Sequence, residues 1–438
     1  MSARSVSRAC WLVLGMALAA CSTPIEPQPV TGPSPPYDYN IVNPYVATVV
    51  GTPPALAAQV PEEINVTELD LRVFPERPIP EVFWYADRLQ YSLVYQTRPA
   101  PLIFLIAGTG AGHDSIKSTY LQRVFFQAGY HVISLPSPTY PDFMISASTT
   151  GVPGRAKDDA EDLYRVMRLA YEQIKDRIEV TAFHLTAYSL GAWHAAFVAE
   201  LDAEQKAFDF EKVLLINPPV SLYTSAQRLD AMLVDNLPGG NANIGVLVQD
   251  LINQLAGVYQ SAESLNFRSE YILYRLYLQL QPSDEELEAL IGLAFRFASA
   301  NLVFTSDVLT DFGLIVPKNL QLTPVSSLTD YFDVSIRVGF IEYFNDLYYP
   351  FYNRRDPTKT KEKLIEQASL ESIRDYLAGA ENVGVITNED DIMLSPGQVE
   401  FLAKVFGPRA QIYPTGGHVG NLATRAVTAY VADFFRRQ

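Results

Sequence analysis

Ser189 sits in Ala187-Tyr188-Ser189-Leu190-Gly191, with a small residue two places before it and another two places after. An apolar, strand-like run from Val180 to Thr186 leads in, and a helix-like run from Gly191 to Lys206 leads out. A sharp strand-to-helix turn of this kind holds a serine in a strained, exposed position suited to nucleophilic attack. The flanking residues are small because the two backbones pass too closely for a larger side chain. The strict pattern has glycine where this chain has Ala187. A serine N-cap on an ordinary helix writes the same local pattern, so the decision rests on other residues.

Two loops offer partners. Asn388-Glu389-Asp390-Asp391-Ile392 follows a strand-like run, Asn382 to Thr387, and Gly416-Gly417-His418-Val419-Gly420-Asn421 follows another, Ala410 to Tyr413. In an open parallel sheet the loops after strand C-termini share one edge. Ser189, the Asp390/Asp391 loop and the His418 loop should therefore converge, in the chain order serine, acid, histidine. The other histidines are weaker candidates. His131 and His184 read as core or surface residues. His194 shares a helix with Ser189 and is expected to point away. His113 lies near the glycine loop as a candidate for substrate contact. No histidine spacing suits a metal, so no metal site is expected.

The elements around these residues read as alternating strands and helices. Strands are expected at Ile64–Phe74, Tyr91–Tyr95, Pro101–Ala107, Tyr130–Leu135 and Lys212–Asn217. The continuous apolar runs mark strands buried on both faces of a parallel sheet. Helices are expected from near Asp114, as an N-cap, and over Arg155–Asp176. Gly108-Thr109-Gly110-Ala111-Gly112 closes the third strand. A dinucleotide loop would want a third glycine where His113 stands and an acid after the next strand, where the chain reads Leu135-Pro136-Ser137. No cofactor is expected. From Pro218 to about Ala380 the periodicity turns helical, with a capping box at Ser283 and Glu286 ahead of a run reaching about Val303. Ser327 to Tyr349 reads as helix, and its aromatic stripe reads as core. The α/β pattern resumes at Asn382, with helices over Ser395–Phe406 and Val419–Phe435.

From about Phe83 to the C-terminus the chain resembles the α/β-hydrolase superfamily. The glycine-rich loop after a strand, the elbow at Ser189, the helical insertion after the next strand and the Gly417-His418 loop carry the resemblance. It implies a mostly parallel central sheet with helices on both faces and a large all-α cap. The corresponding parts are a hydrolase core over residues 62–220 and 381–438 and a cap over 221–380. The superfamily's acid often lies in a Gly-x-x-Asp loop. Asn388 stands at that glycine, which implies Asp391 as the acid, with Asp390 the runner-up. The implied mechanism is a Ser189, His418, Asp391 triad, with the backbone N–H groups of Leu190 and Thr109 as the oxyanion hole.

The first 20 residues have the form of a signal peptide, with Arg4 and Arg8 ahead of a short apolar run. Leu18-Ala19-Ala20-Cys21 resembles a bacterial lipoprotein lipobox, which implies acylation of Cys21. Ser22 after it implies the outer membrane of a bacterial envelope. Residues 21–61 are proline-rich and read as a tether whose second half can lie on the globular domain. The only other cysteine, Cys10, falls in the signal segment, so no disulfide framework is expected. Across 438 residues the net charge is −16, which argues against nucleic acid as a partner. Two functions follow: a membrane-anchored serine hydrolase acting on carboxylic esters of small molecules or lipids, or a non-catalytic lipid- or protein-binding lipoprotein on the same scaffold.

Overall fold

A computed structural model describes residues 35–237, 239–249 and 272–436. The signal segment and Cys21 lie outside the described residues. Eight strands form one sheet in the order β1-β2-β4-β3-β5-β6-β7-β8. They are β1 (Thr67–Leu71), β2 (Leu89–Val94), β3 (Ala100–Ile106), β4 (His131–Leu135), β5 (Val180–Tyr188), β6 (Lys212–Ile216), β7 (Val383–Asn388) and β8 (Ala410–Tyr413). β2 runs antiparallel to both of its neighbours, and every pairing from β4 to β8 is parallel. This is the α/β-hydrolase architecture.

The apolar strand runs are buried on both faces. Phe104, Leu185, Val213 and Val385 face one layer, where the helices Ala156–Ile174 and Leu190–Gln205 contribute Leu163, Met167, Trp193 and Phe197. Ile103, Leu105, Leu214 and Ile386 face the other, against Ile116–Gln127 and Arg425–Phe434. Burying each such side chain is worth about 1.5–3 kcal/mol, which holds the strands that carry the loops in place.

Local capping shifts several expected boundaries. Ser115, not Asp114, caps the helix after β3 by accepting the Ser118 N–H. Thr424 caps the last helix, so Val419 to Ala423 remain a loop. The Ser283/Glu286 capping box starts a helix that runs to Thr310, beyond Val303.

Between β6 and β7 the described residues are helical except for their connections. The insertion narrows to a neck where Leu222 N–H donates to Ala368 O (3.0 Å) and Leu370 N–H to Val220 O (2.8 Å). Leu370, Ile373 and Leu377, inside the expected cap boundary at Ala380, belong to the sheet's core. The long helix Asp284–Thr310 packs on Leu222–Val234. It is long and apolar enough to cross a membrane. In the fold, however, Arg296 is fully buried and donates to Asp230 and to Ile336 O (3.2 Å). Asp230 in turn accepts the Phe340 N–H (3.2 Å). This network turns the chain at Ile336–Gly339, so the segment expected as one helix is broken into Thr329–Ser335, Phe340–Tyr343, a π-helical turn and Tyr349–Arg355.

Ahead of the sheet, the proline-rich stretch forms a short helix, Pro44–Val50. It is capped by Asn43, whose side chain accepts the N–H groups of Tyr45 and Val46.

Candidate active site

Ser189 directly follows β5, with φ 56° and ψ −131°. The sheet holds the turn open, since the Ser189 N–H donates to Ile216 O at the end of β6 (2.8 Å). At Gly191 a β-carbon would strike the carbonyl oxygens of Ile106 and Ala107. Glycine there is what lets the helix start directly against β3. Ala187 is fully buried at the other small position.

β7 and β8 deliver the partners. His418 Nε2 lies 2.8 Å from Ser189 Oγ. His418 Nδ1 lies 3.0 Å from each carboxylate oxygen of Asp391. An ionised carboxylate only accepts, so Nδ1 carries the proton and Nε2 presents a lone pair to the serine hydroxyl. The Asp391 side chain is 1% exposed, and its remaining bonds come from Asn217 Nδ2 (2.8 Å) and the Met393 N–H (3.0 Å). Burial of a carboxylate is tolerable because each oxygen is paired.

Asp390, the runner-up for the acid, has a different task. Its carboxylate accepts the N–H groups of Gly416 (3.1 Å) and Gly417 (2.8 Å), which braces the loop before His418. Burial raises its pKa, and those two N–H bonds oppose the rise. Asn388, standing where the superfamily resemblance expects glycine, donates to Gly417 O (2.7 Å) and so ties the acid loop to the histidine loop. The bonds of Asn217 and Asn388 were not legible in the sequence, where Asn388 stands out only as a departure from the expected glycine and Asn217 as an ordinary strand-end residue.

Thr109 and Leu190 both border a narrow, largely apolar cavity of about 100 Å³ that runs under the cap. Ser189 and His418 are not part of its lining, although Leu190, the residue after the serine, is. As the first residue of its helix, Leu190 has an N–H with no intrahelical acceptor. The glycine loop is pinned by the Gly110 N–H donating to Thr139 Oγ1 (2.8 Å). Phe340, Tyr343, Phe344 and Tyr348 also line the cavity. The aromatic stripe expected to be core is therefore partly the wall of the candidate binding site.

The remaining histidines separate cleanly. His194 was expected to point away from the site, yet it borders the cavity and meets buried Asp159 through Nε2 (3.1 Å). The helix it shares with Ser189 is buried on most of its circumference, so facing away from the serine still means facing the cap. His113 is buried and lies outside the cavity lining. His131 bonds to the Gln96 N–H and Glu179 O, and His184 packs on Tyr130 and Phe435. Burial, with Lys212 nearby, lowers the His184 pKa to about 4. Among the described residues no group of three or more His, Cys, Asp or Glu could hold a metal ion.

No protein-family model matches the chain, and no curated protein does. Solved structures similar to it include brefeldin A esterase, a bacterial homologue of human hormone sensitive lipase, at 12% identity over 89% of this chain and 82% of that one, with a TM-score of 0.41. An esterase of Pyrococcus furiosus is similar at 11% identity over 89% and 97%, with a TM-score of 0.39. Proline iminopeptidase of Mycobacterium smegmatis is similar at 14% identity over 80% and 94%, with a TM-score of 0.37.

Proposed function

We propose that this protein is a serine hydrolase that cleaves carboxylic esters with an apolar acyl or alkyl group, tethered to a membrane through acylated Cys21. The observation that carries the catalytic part is the continuous hydrogen-bond chain Ser189–His418–Asp391 at a strained strand-to-helix turn. His418 takes the serine proton as Oγ attacks the ester carbonyl, and returns it to the departing alcohol. Water then repeats the sequence on the acyl-enzyme. The N–H groups of Leu190 and Thr109 receive the oxyanion, and Asp391 stabilises the imidazolium. The apolar cavity beyond those two residues favours an aliphatic substituent over a charged one.

A chain-length series of aryl esters and phospholipids, compared between wild type and Ser189→Ala, tests this reading. Turnover that rises with chain length and vanishes in the variant is expected. Turnover that survives Ser189→Ala overturns it. The anchor is tested separately: Cys21→Ser should move the protein from the membrane to the soluble fraction, and retention on the membrane would count against it.

A further inference from the structure

The helix Pro44–Val50 lies in the second half of the proline-rich stretch, the part expected to be able to lie on the globular domain, and it is bonded to the histidine loop. We infer that Thr48 is a positioning residue for His418, and that this N-terminal arm is a working part of the active site. The inference rests on the serine hydrolase reading for its catalytic consequence.

Thr48 Oγ1 accepts the backbone N–H of His418 at 2.9 Å. Its own proton is committed to Pro44 O at 2.7 Å, which orients the lone pairs toward the loop. The next residue, Val419, takes φ 60°. A β-branched residue there is strained and persists only when its surroundings hold it. The arm supplies much of that hold. Thr52 donates to Gly420 O (2.9 Å), and Tyr37 Oη accepts from Asn421 Nδ2 (3.0 Å) while donating to Thr415 O. Gly417 and Gly420 leave the room the arm needs, since β-carbons there would strike Pro44 O and Ala47 O. The contacts that join the arm to the loop link residues far apart in sequence, so they add tertiary restraint to the loop's own turn bond from the Gly420 N–H to Gly416 O (3.1 Å).

The arm's other side is fixed to the cap. Asn43 Nδ2 donates to Asp284 Oδ1 (2.6 Å), and Val46 and Val50 pack with Leu287. One short helix therefore braces the histidine loop against the first turns of the cap's longest helix. Displacing it would free the His418 backbone while leaving Ser189 and Asp391 on their strands.

The test uses the full chain with Thr48→Val, which keeps the shape and removes the acceptor, and Thr48→Ser, which restores it. Hydrogen exchange of residues 415–421 reads the brace. Fluorophosphonate labelling rate, and kcat against KM on an aryl ester, read its consequence. Thr48→Val should expose the loop to faster exchange and slow labelling and kcat about 10- to 100-fold with KM nearly unchanged, because small misplacements of a catalytic group carry costs of that order. Thr48→Ser should recover both. Unchanged loop exchange in Thr48→Val overturns the inference, as does faster exchange with unaltered labelling and kcat. If the wild type itself neither labels nor turns over ester, the hydrolase reading fails, and loop exchange alone still decides whether Thr48 braces the loop.

Discussion

At the sheet edge, Ser189, Asn217 and Val419 all take positive φ, and all three touch or adjoin the Ser189–His418–Asp391 chain. Under the cap, by contrast, Arg296 and Asp230 meet from within two regular helices. The two regions bury polar groups by different means. The edge uses backbone strain held by strands on both sides, which fixes a few atoms tightly. The cap uses a buried ion pair between helices, which fixes how whole helices lie and leaves an apolar cavity between them. On the proposed function, the first arrangement carries the chemistry and the second sets access and fit.

The sharpest way to break this comparison is at the two adjacent acids. Asp391→Asn should lower kcat by about 10⁴-fold with little change in melting temperature, since the imidazole loses its orienting carboxylate. Asp390→Asn should cost only about 10-fold, because it loosens the loop before His418 without touching the imidazole. Ester kinetics and thermal melts on both variants check this, and equal losses would dissolve the distinction between them. In the cap, Arg296→Met should destabilise by about 3–5 kcal/mol, since it strands a buried carboxylate. Limited proteolysis should then cut first between Leu222 and Gln367, and the additional change Asp230→Leu should recover much of the loss. Cleavage spread evenly over the chain would show that cap and core do not separate.

A smaller effect belongs to the core alone. Burial holds the His184 pKa near 4, below the ordinary value of about 6.5 in an unfolded chain. The unfolded state therefore binds this proton more readily. The cost to stability is absent above about pH 6.5, grows as pH falls and levels off below about pH 4, at up to about 3 kcal/mol. Denaturant melts of His184→Leu should accordingly show a flatter decline between pH 6.5 and 4 than wild type. Parallel declines would place acid sensitivity elsewhere.

How legible each region was in the sequence follows the same division. Strands such as β3, β4 and β6 announce themselves because burial on both faces leaves continuous apolar runs. The chemical residues follow at strand ends in the order serine, acid, histidine. The bonds of Asn217 and Asn388 did not, because an amide at a strand end has no periodicity and its partner lies in another loop. The tether's second half was expected to be able to lie on the domain, but Thr48's own role was hidden because its partner is 370 residues away. In the cap, the capping box at Ser283 was readable since it is local. The break near Gly339 was not, as it depends on Arg296 and Asp230 from two distant helices. The aromatic stripe is core as its spacing suggests, with Tyr343, Phe344 and Tyr348 buried together, and its second role as cavity wall was not legible because both kinds of packing leave the same spacing.

The central claim is that Ser189 is an activated nucleophile, and the most direct measurement is a fluorophosphonate probe with mass spectrometry of the labelled peptide. A covalent adduct on Ser189, formed by wild type and lost in Ser189→Ala and in His418→Ala, is the predicted result. No adduct on wild-type protein, or an adduct on another residue that survives Ser189→Ala, would contradict it.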